Sequence, residues 1–189
     1  TPQSIVISGI WDMGWSLDLH TISSKKSSSG WKNDRTEIGE ALYDLKYKND
    51  ESKVWFLAQQ AVSFLWDMNL VCSLDVVIPA PFSKKRSFQP VRELAKVIGQ
   101  EIQVSTDLNY VYKTCTKAMK SNMRPEEKQR ILNKSICVKD RRYQGRNILL
   151  FDDLYCSGST LKVVSRKLRE VGKVGSIYVL TLTKTRTKR

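Results

Sequence analysis

The segment LLFDDLYCSGST, residues 149–160, limits the fold more than any other part of this chain. An apolar run delivers two adjacent carboxylates, Asp152 and Asp153, to its tip, and a tight loop of small residues, Cys156 to Thr160, follows. Leu161, Val164, Leu168 and Val171 then recur at helical spacing, with Gly172 as the expected stop. This is a strand–loop–helix unit. Gly158 permits a positive φ or close backbone approach, and the N–H groups of the loop and first helical turn have no partner within the helix. Those donors form a ready cradle for a phosphate. Two acids beside a phosphate would repel it. Their presence makes sense if they hold the hydroxyls of a ribose, directly or through Mg²⁺, an ion that takes carboxylate and phosphate oxygens.

The rest of the chain places this unit. Residues 4–10 and 15–22 read as strands, turning between Gly9 and Gly14, and Ser23 to Asn33 reads as a mobile Ser/Lys-rich loop. Asp34 with Glu37 resembles a capping box ahead of a helix bearing Ile38, Ala41, Leu42 and Leu45. A second helix is expected near Glu51 to Met68. Residues 1–72 are read as an N-terminal α+β lobe and 73–189 as the core. From Leu74 onward strands and helices alternate: SLDVVIPAP opens into a loop, a helix carries Val91 to Ile98 and closes at Gly99, and a weak strand lies at 109–112. Pro125 starts a further helix, 147–152 is the clearest strand, and 176–182 is the last. Such alternation predicts right-handed βαβ units and a mostly parallel sheet flanked by helices, an α/β fold. Ligands of such sheets bind beyond the carboxyl ends of the strands, here the loops 80–88 and 152–160.

A formal net charge of +13 on 189 residues argues for polyanionic partners: nucleotide phosphates, pyrophosphate, nucleic acid or an acidic protein. The excess is concentrated, with 11 Lys or Arg against 3 acids between Lys113 and Arg146. No run of 18 apolar residues predicts a membrane span. Thr1 to Ser4 lack the character of a secretory signal, and Thr1 is compatible with loss of an initiator Met, so a native start is expected. Cys72, Cys115, Cys137 and Cys156 are scattered, with one His in the chain, which argues against a zinc site and for reduced thiols in a cytoplasmic protein. Asp18 and His20 share one strand face, either as a half-exposed pair or as polar groups aimed at a ligand or partner.

The stretch LLF-DD-LY-CSGST is similar to the phosphoribosyl pyrophosphate (PRPP) motif of type I phosphoribosyltransferases, with Cys156 where Thr or Ser is common. VVIPAPFSKKRSFQPVRELAKVIG (76–99), YKT (112–114) and EEKQRILNKSICV (126–138) resemble segments of the ComF competence family, so that residues 74–184 look ComF-like. The four-Cys zinc ribbon that often opens ComF proteins has no counterpart in the first 70 residues. The chain also resembles, more loosely, the phosphoribosyltransferase-like effectors of bacterial retron cassettes, which would imply antiviral defence.

The resemblance implies a type I phosphoribosyltransferase fold and assigns roles. Asp152 and Asp153 would be the catalytic acids, holding the ribose hydroxyls and helping to place Mg²⁺. Cys156, Ser157, Gly158, Ser159 and Thr160 would hold the 5-phosphate, and Lys84, Lys85 and Arg86 the pyrophosphate. Lys113, Lys117, Lys120 and Arg124 would lie on a flexible loop that closes the site, the N-terminal lobe would be the hood that chooses the base, and a homodimer is expected. Two readings follow. One is a Mg²⁺-dependent phosphoribosyltransferase that binds PRPP or a nucleotide. The other is a non-catalytic module of the same fold that binds nucleic acid or a partner protein through its basic face.

Overall fold

The computed structural model describes residues 4–28, 30–82, 87–114 and 123–186. Its centre is a six-stranded sheet of order β1-β2-β10-β9-β5-β6. The strands are β1 (Ile5–Val6), β2 (Met13–Leu19), β5 (Val76–Pro79), β6 (Ser105–Thr106), β9 (Ile148–Tyr155) and β10 (Ile177–Lys184). Only β1 and β2 pair antiparallel; every other neighbouring pair is parallel. The mostly parallel α/β sheet expected from the sequence is therefore present.

Helices cover both faces, which is why β9 reads as an unbroken apolar run. Ile148 and Leu150 pack with α4 (Pro125–Ser135) and α5 (Ser159–Glu170), through Leu132, Leu161, Val164 and Leu168. Leu149 and Phe151 face the other way, into a cluster built on α1 (Glu37–Tyr47), α2 (Lys53–Asp67) and α3 (Pro90–Ile102). Residues before and after position 72 share this one cluster and this one sheet: Trp15 and Leu17 of β2, Leu45 of α1 and Leu65 of α2 pack with Leu94 of α3 and Leu180 of β10. Trp11 and Trp15 are core residues, 6% and 5% exposed; the side chain of Trp31 lies outside the described residues.

The structure corrects several local expectations. Ser23 to Asn33 is not a loop but most of an antiparallel hairpin, β3 (Thr21–Ser27) with β4 (Gly30–Arg35). Lys25, Lys26, Lys32 and Asn33 are all exposed, so successive side chains carry no apolar alternation for a sequence reading to detect. The cap of α1 is Thr36 rather than Asp34: the Thr36 hydroxyl accepts from the Gly39 N–H and donates to the Leu19 carbonyl, while Asp34 takes a bond from Ser23 in the hairpin. Helix α3 passes through Gly99 to Ile102 and ends at Gln103, whose φ is 56°. Gly99 serves packing instead of termination, because a Cβ there would stand 2.0 Å from the Thr106 hydroxyl. The weak strand expected at 109–112 is β7 (Val111–Lys113), and it pairs beside α4 and α5 with a strand the sequence did not announce, β8 (Ile136–Val138). Finally, β9 runs on to Tyr155, so the acid pair sits within the strand's last residues and not beyond it.

Candidate functional site

The strand order creates the site. From β5 the chain leaves through α3 on one face to β6, away from the centre; from β9 it leaves through α5 on the opposite face to β10. The connections after β5 and β9 therefore diverge, and a crevice opens between the carboxyl ends of the two neighbouring strands. A cleft of about 250 Å³ occupies that position. Ala80, Pro81 and Phe82 line it from one side, Asp152, Asp153 and Thr160 from the other, and Lys46 reaches in from α1.

A cavity of about 100 Å³ adjoins it, bounded by Asp152, Lys128 and the loop from Leu154 to Leu161. The loop expected to form a phosphate cradle lines this cavity. Gly158 has φ 70° and immediately precedes α5. The Ser157 and Ser159 hydroxyls are 2.8 Å apart, and Thr160 lines both cavities. A side chain at Gly158 is refused twice: by the left-handed backbone, and by the Tyr155 ring 2.8 Å from where a Cβ would stand. Gly158→Ala should lower stability by about 1–2 kcal/mol from the backbone alone. It should also abolish binding of a phosphorylated ligand; a thermal melt and a phosphate-ester titration on the same variant check both effects.

The two acids leave β9 on opposite faces, as adjacent strand residues must. Asp153 follows Leu149 and Phe151 toward α1, where its Oδ2 meets Lys46 Nζ at 2.8 Å. Burial by itself would lower the Lys46 ammonium, but the charge and hydrogen bond of Asp153, then the charge of Asp152, outweigh it and hold the lysine above its ordinary value. Asp152 follows Ile148 and Leu150 toward the other face, and its Oδ1 accepts the Asp153 N–H at 2.8 Å. It lies deep among protein atoms while keeping an edge on the cleft. That burial, reinforced by the charge of Asp153, pushes its carboxyl up to about 7. Lys113 of β7 feels the Asp152 charge in return; burial is the larger influence and lowers its ammonium.

Lys113 belongs to a strand and lines a third cavity, about 170 Å³, beyond Ala80 to Phe82 and next to Arg92. Arg124 is exposed just before α4. Lys84, Lys85, Arg86, Lys117 and Lys120 lie outside the described residues. His20 follows β2, with Nδ1 at 3.4 Å from the Thr183 hydroxyl; burial first, then the charges of Arg35 and Lys46, lower its pKa. Sequence reasoning missed Lys46 and Lys128. The first is a lysine in the last turn of an amphipathic helix, a position that ordinarily answers the helix dipole. The second stood inside a basic stretch and becomes distinctive only when α4 packs on α5.

A directly held Mg²⁺ does not fit these residues. The two carboxylates leave β9 on opposite faces, and Asp153 is engaged by Lys46. Among the described residues no group of three His, Cys, Asp or Glu converges on one point. Among the same residues no helix is long and apolar enough to cross a membrane.

No protein-family model matches the chain. It is similar to competence protein ComFC of Bacillus subtilis, 30% identical over 108 residues, which are 57% of this chain and 43% of that protein. The chain thus spans less than half the length of the curated relative it matches. This similarity agrees with the ComF-like resemblance read from the sequence. Among solved structures, the chain is similar to adenine phosphoribosyltransferase from Thermoanaerobacter pseudethanolicus (14% identity, 87% of this chain and 95% of that one, TM-score 0.47). It is also similar to the adenine phosphoribosyltransferase of Saccharomyces cerevisiae (11% identity, 87% of this chain and 83% of that one, TM-score 0.48).

Proposed function

We propose that the crevice binds a ribose 5-phosphate compound, PRPP or a nucleotide, and that the chain is a phosphoribosyltransferase acting on it. One observation carries this reading: the cradle at the start of α5 opens into the same switch-point cleft that Asp152 and Asp153 line. The 5-phosphate takes the N–H groups of the loop, with Lys128 as counter-charge. The ribose hydroxyls donate to Asp152 and Asp153. This leaves the sugar's C1 toward Ala80 to Phe82, where Lys113 and Arg92 line the adjoining cavity on the pyrophosphate side.

In the reaction, a base nitrogen forms a bond to C1 as the bond from C1 to the pyrophosphate oxygen breaks. The electron pair departs with pyrophosphate, and the proton of the attacking nitrogen passes to solvent. Fixed cations near the departing oxygens lower the barrier by stabilising charge as it develops, and the rigid strand ends contribute orientation. Titration calorimetry with PRPP decides the reading. Binding should be present in the wild type and lost, by about a hundredfold or more, in Asp152→Asn/Asp153→Asn. Absence of binding at millimolar PRPP sinks it.

A second reading has its own observation. The β3–β4 hairpin sets Lys25 directly opposite Lys32, and the carboxylate close to both, Asp34, leaves this cluster net positive. With Arg186 bonded to the Ile22 carbonyl and the Ser24 hydroxyl, the ribbon is a cationic projection suited to a polyanion. Single-stranded nucleic acid bound there should weaken steeply with salt. In Lys25→Ala/Lys32→Ala two phosphates would keep their counterions, so the slope of log affinity against log salt should fall by about 1.4.

A further inference from the structure

A ligand with a phosphate and a pyrophosphate brings several negative charges to a site that already holds two carboxylates. Something cationic must offset them. The sequence leads one to expect a divalent ion, but the side chains around the acids include cations of their own. Lys46 Nζ stands 2.8 Å from Asp153 Oδ2, with side-chain exposures of 21% and 9%, and both residues line the cleft. Lys113 lines the neighbouring cavity, beyond the shared wall of Ala80 to Phe82, and is near enough to Asp152 to feel its charge, and Lys128 lines the phosphate cradle together with Asp152. The lysines come from three different elements, α1, β7 and α4, so their convergence on one acid pair is a property of the fold.

We infer that Lys46 and Lys113 take the charge-neutralising place of a divalent cation, so that this site binds phosphorylated ribose without Mg²⁺, with Lys46 as the positioning residue that makes it so. The inference rests on the ribose-phosphate reading of the cleft. Lys46 holds Asp153 ionised and oriented, so the carboxylate accepts a sugar hydroxyl without an ion to order it. Lys113, on the far side of Asp152, meets the negative charge at C1. A site of this kind should take sugar phosphates and nucleotides in their metal-free forms.

The test is calorimetric titration of PRPP into the full chain in excess EDTA and again in millimolar Mg²⁺. Wild-type affinity should agree between the two within about threefold, well inside the tenfold that loss of a charged hydrogen bond produces. Lys46→Met should bind about tenfold or more weakly in EDTA and recover with Mg²⁺, whereas Lys46→Arg should keep the metal-free affinity. The ratio between the two conditions is the decisive readout, because a merely structural lysine would shift both arms together. Wild-type binding seen with Mg²⁺ alone overturns the inference and leaves the cleft as the ligand site. No binding in either condition overturns the ribose-phosphate reading beneath it. Should Lys46→Met fail to fold, the wild-type pair of titrations decides on its own, with Lys113→Met as the second variant.

Discussion

Asp153→Ala should unfold roughly 5 °C below the wild type, a loss of about 2 kcal/mol. The reason lies less in the carboxylate than in what its removal leaves behind. Lys46 is only 21% exposed in its side chain and its ammonium is held by Asp153 at 2.8 Å. Without that partner a half-buried ammonium loses its charge-assisted hydrogen bond, while the Asp152 charge and the open edge of the cleft still offset it in part, so the cost stays below that of a fully buried, unpaired charge. The converse experiment separates the two effects. In Lys46→Met/Asp153→Leu the charges vanish together and apolar side chains of similar size replace them, so stability should return to within about 1 kcal/mol of the wild type. The double variant should nevertheless bind no PRPP. A single substitution as mild as the double one, measured by denaturant midpoint, would show that the pair is exposed in solution and contributes little.

This pair also shows where a sequence stops being legible. Strand β9 is apparent because helices on both faces demand an unbroken apolar run, Ile148 to Phe151, and a carboxylate pair following such a run has few purely structural uses. The cradle is legible for a similar reason: Gly158 among Ser157, Ser159 and Thr160 combines backbone freedom with hydroxyls, and the helix behind it announces itself by its periodicity. Lys46 has no such mark. Its partner is distant in the chain, and the contact exists only because α1 packs onto the sheet beside β10 and β2, within the same apolar cluster as Phe151 of β9. The β3–β4 hairpin is hidden for the opposite reason. Its lysines lie on both faces, so no apolar rhythm accompanies the pairing. Strands β6 and β8 are too short, at two and three residues, for any period to register. Long-range charge pairs and exposed ribbons are decided by tertiary structure, whereas buried strands and capped helices are decided locally.

Asp152→Asn should make the protein more stable at pH 8 while weakening its ligand binding. The carboxyl of Asp152 is pushed up to about 7, by burial first and by the Asp153 charge second. Between the ordinary carboxylate range and pH 7 the folded chain therefore keeps a proton that the unfolded chain has released. The stabilisation is fully present below the unfolded value, near pH 4, and is lost as pH rises through about 7. Asparagine cannot ionise, so the difference in melting temperature between pH 5 and pH 8 should shrink. At the upper pH the variant should gain about 1–3 kcal/mol, less than a full burial penalty because Asp152 keeps an edge on the cleft. Binding moves the other way. The ionised carboxylate is the stronger acceptor for a ribose hydroxyl, so wild-type affinity for PRPP should rise with pH up to about 8, with the uptake of ligand releasing up to one proton. The variant should show weaker affinity without that proton release. A group held at the edge of ionisation in the empty cleft and ionised by its ligand is a stability cost retained for function. Identical pH profiles for wild type and variant would place Asp152 outside the binding reaction and return it to the role of a buried polar residue at the end of a strand.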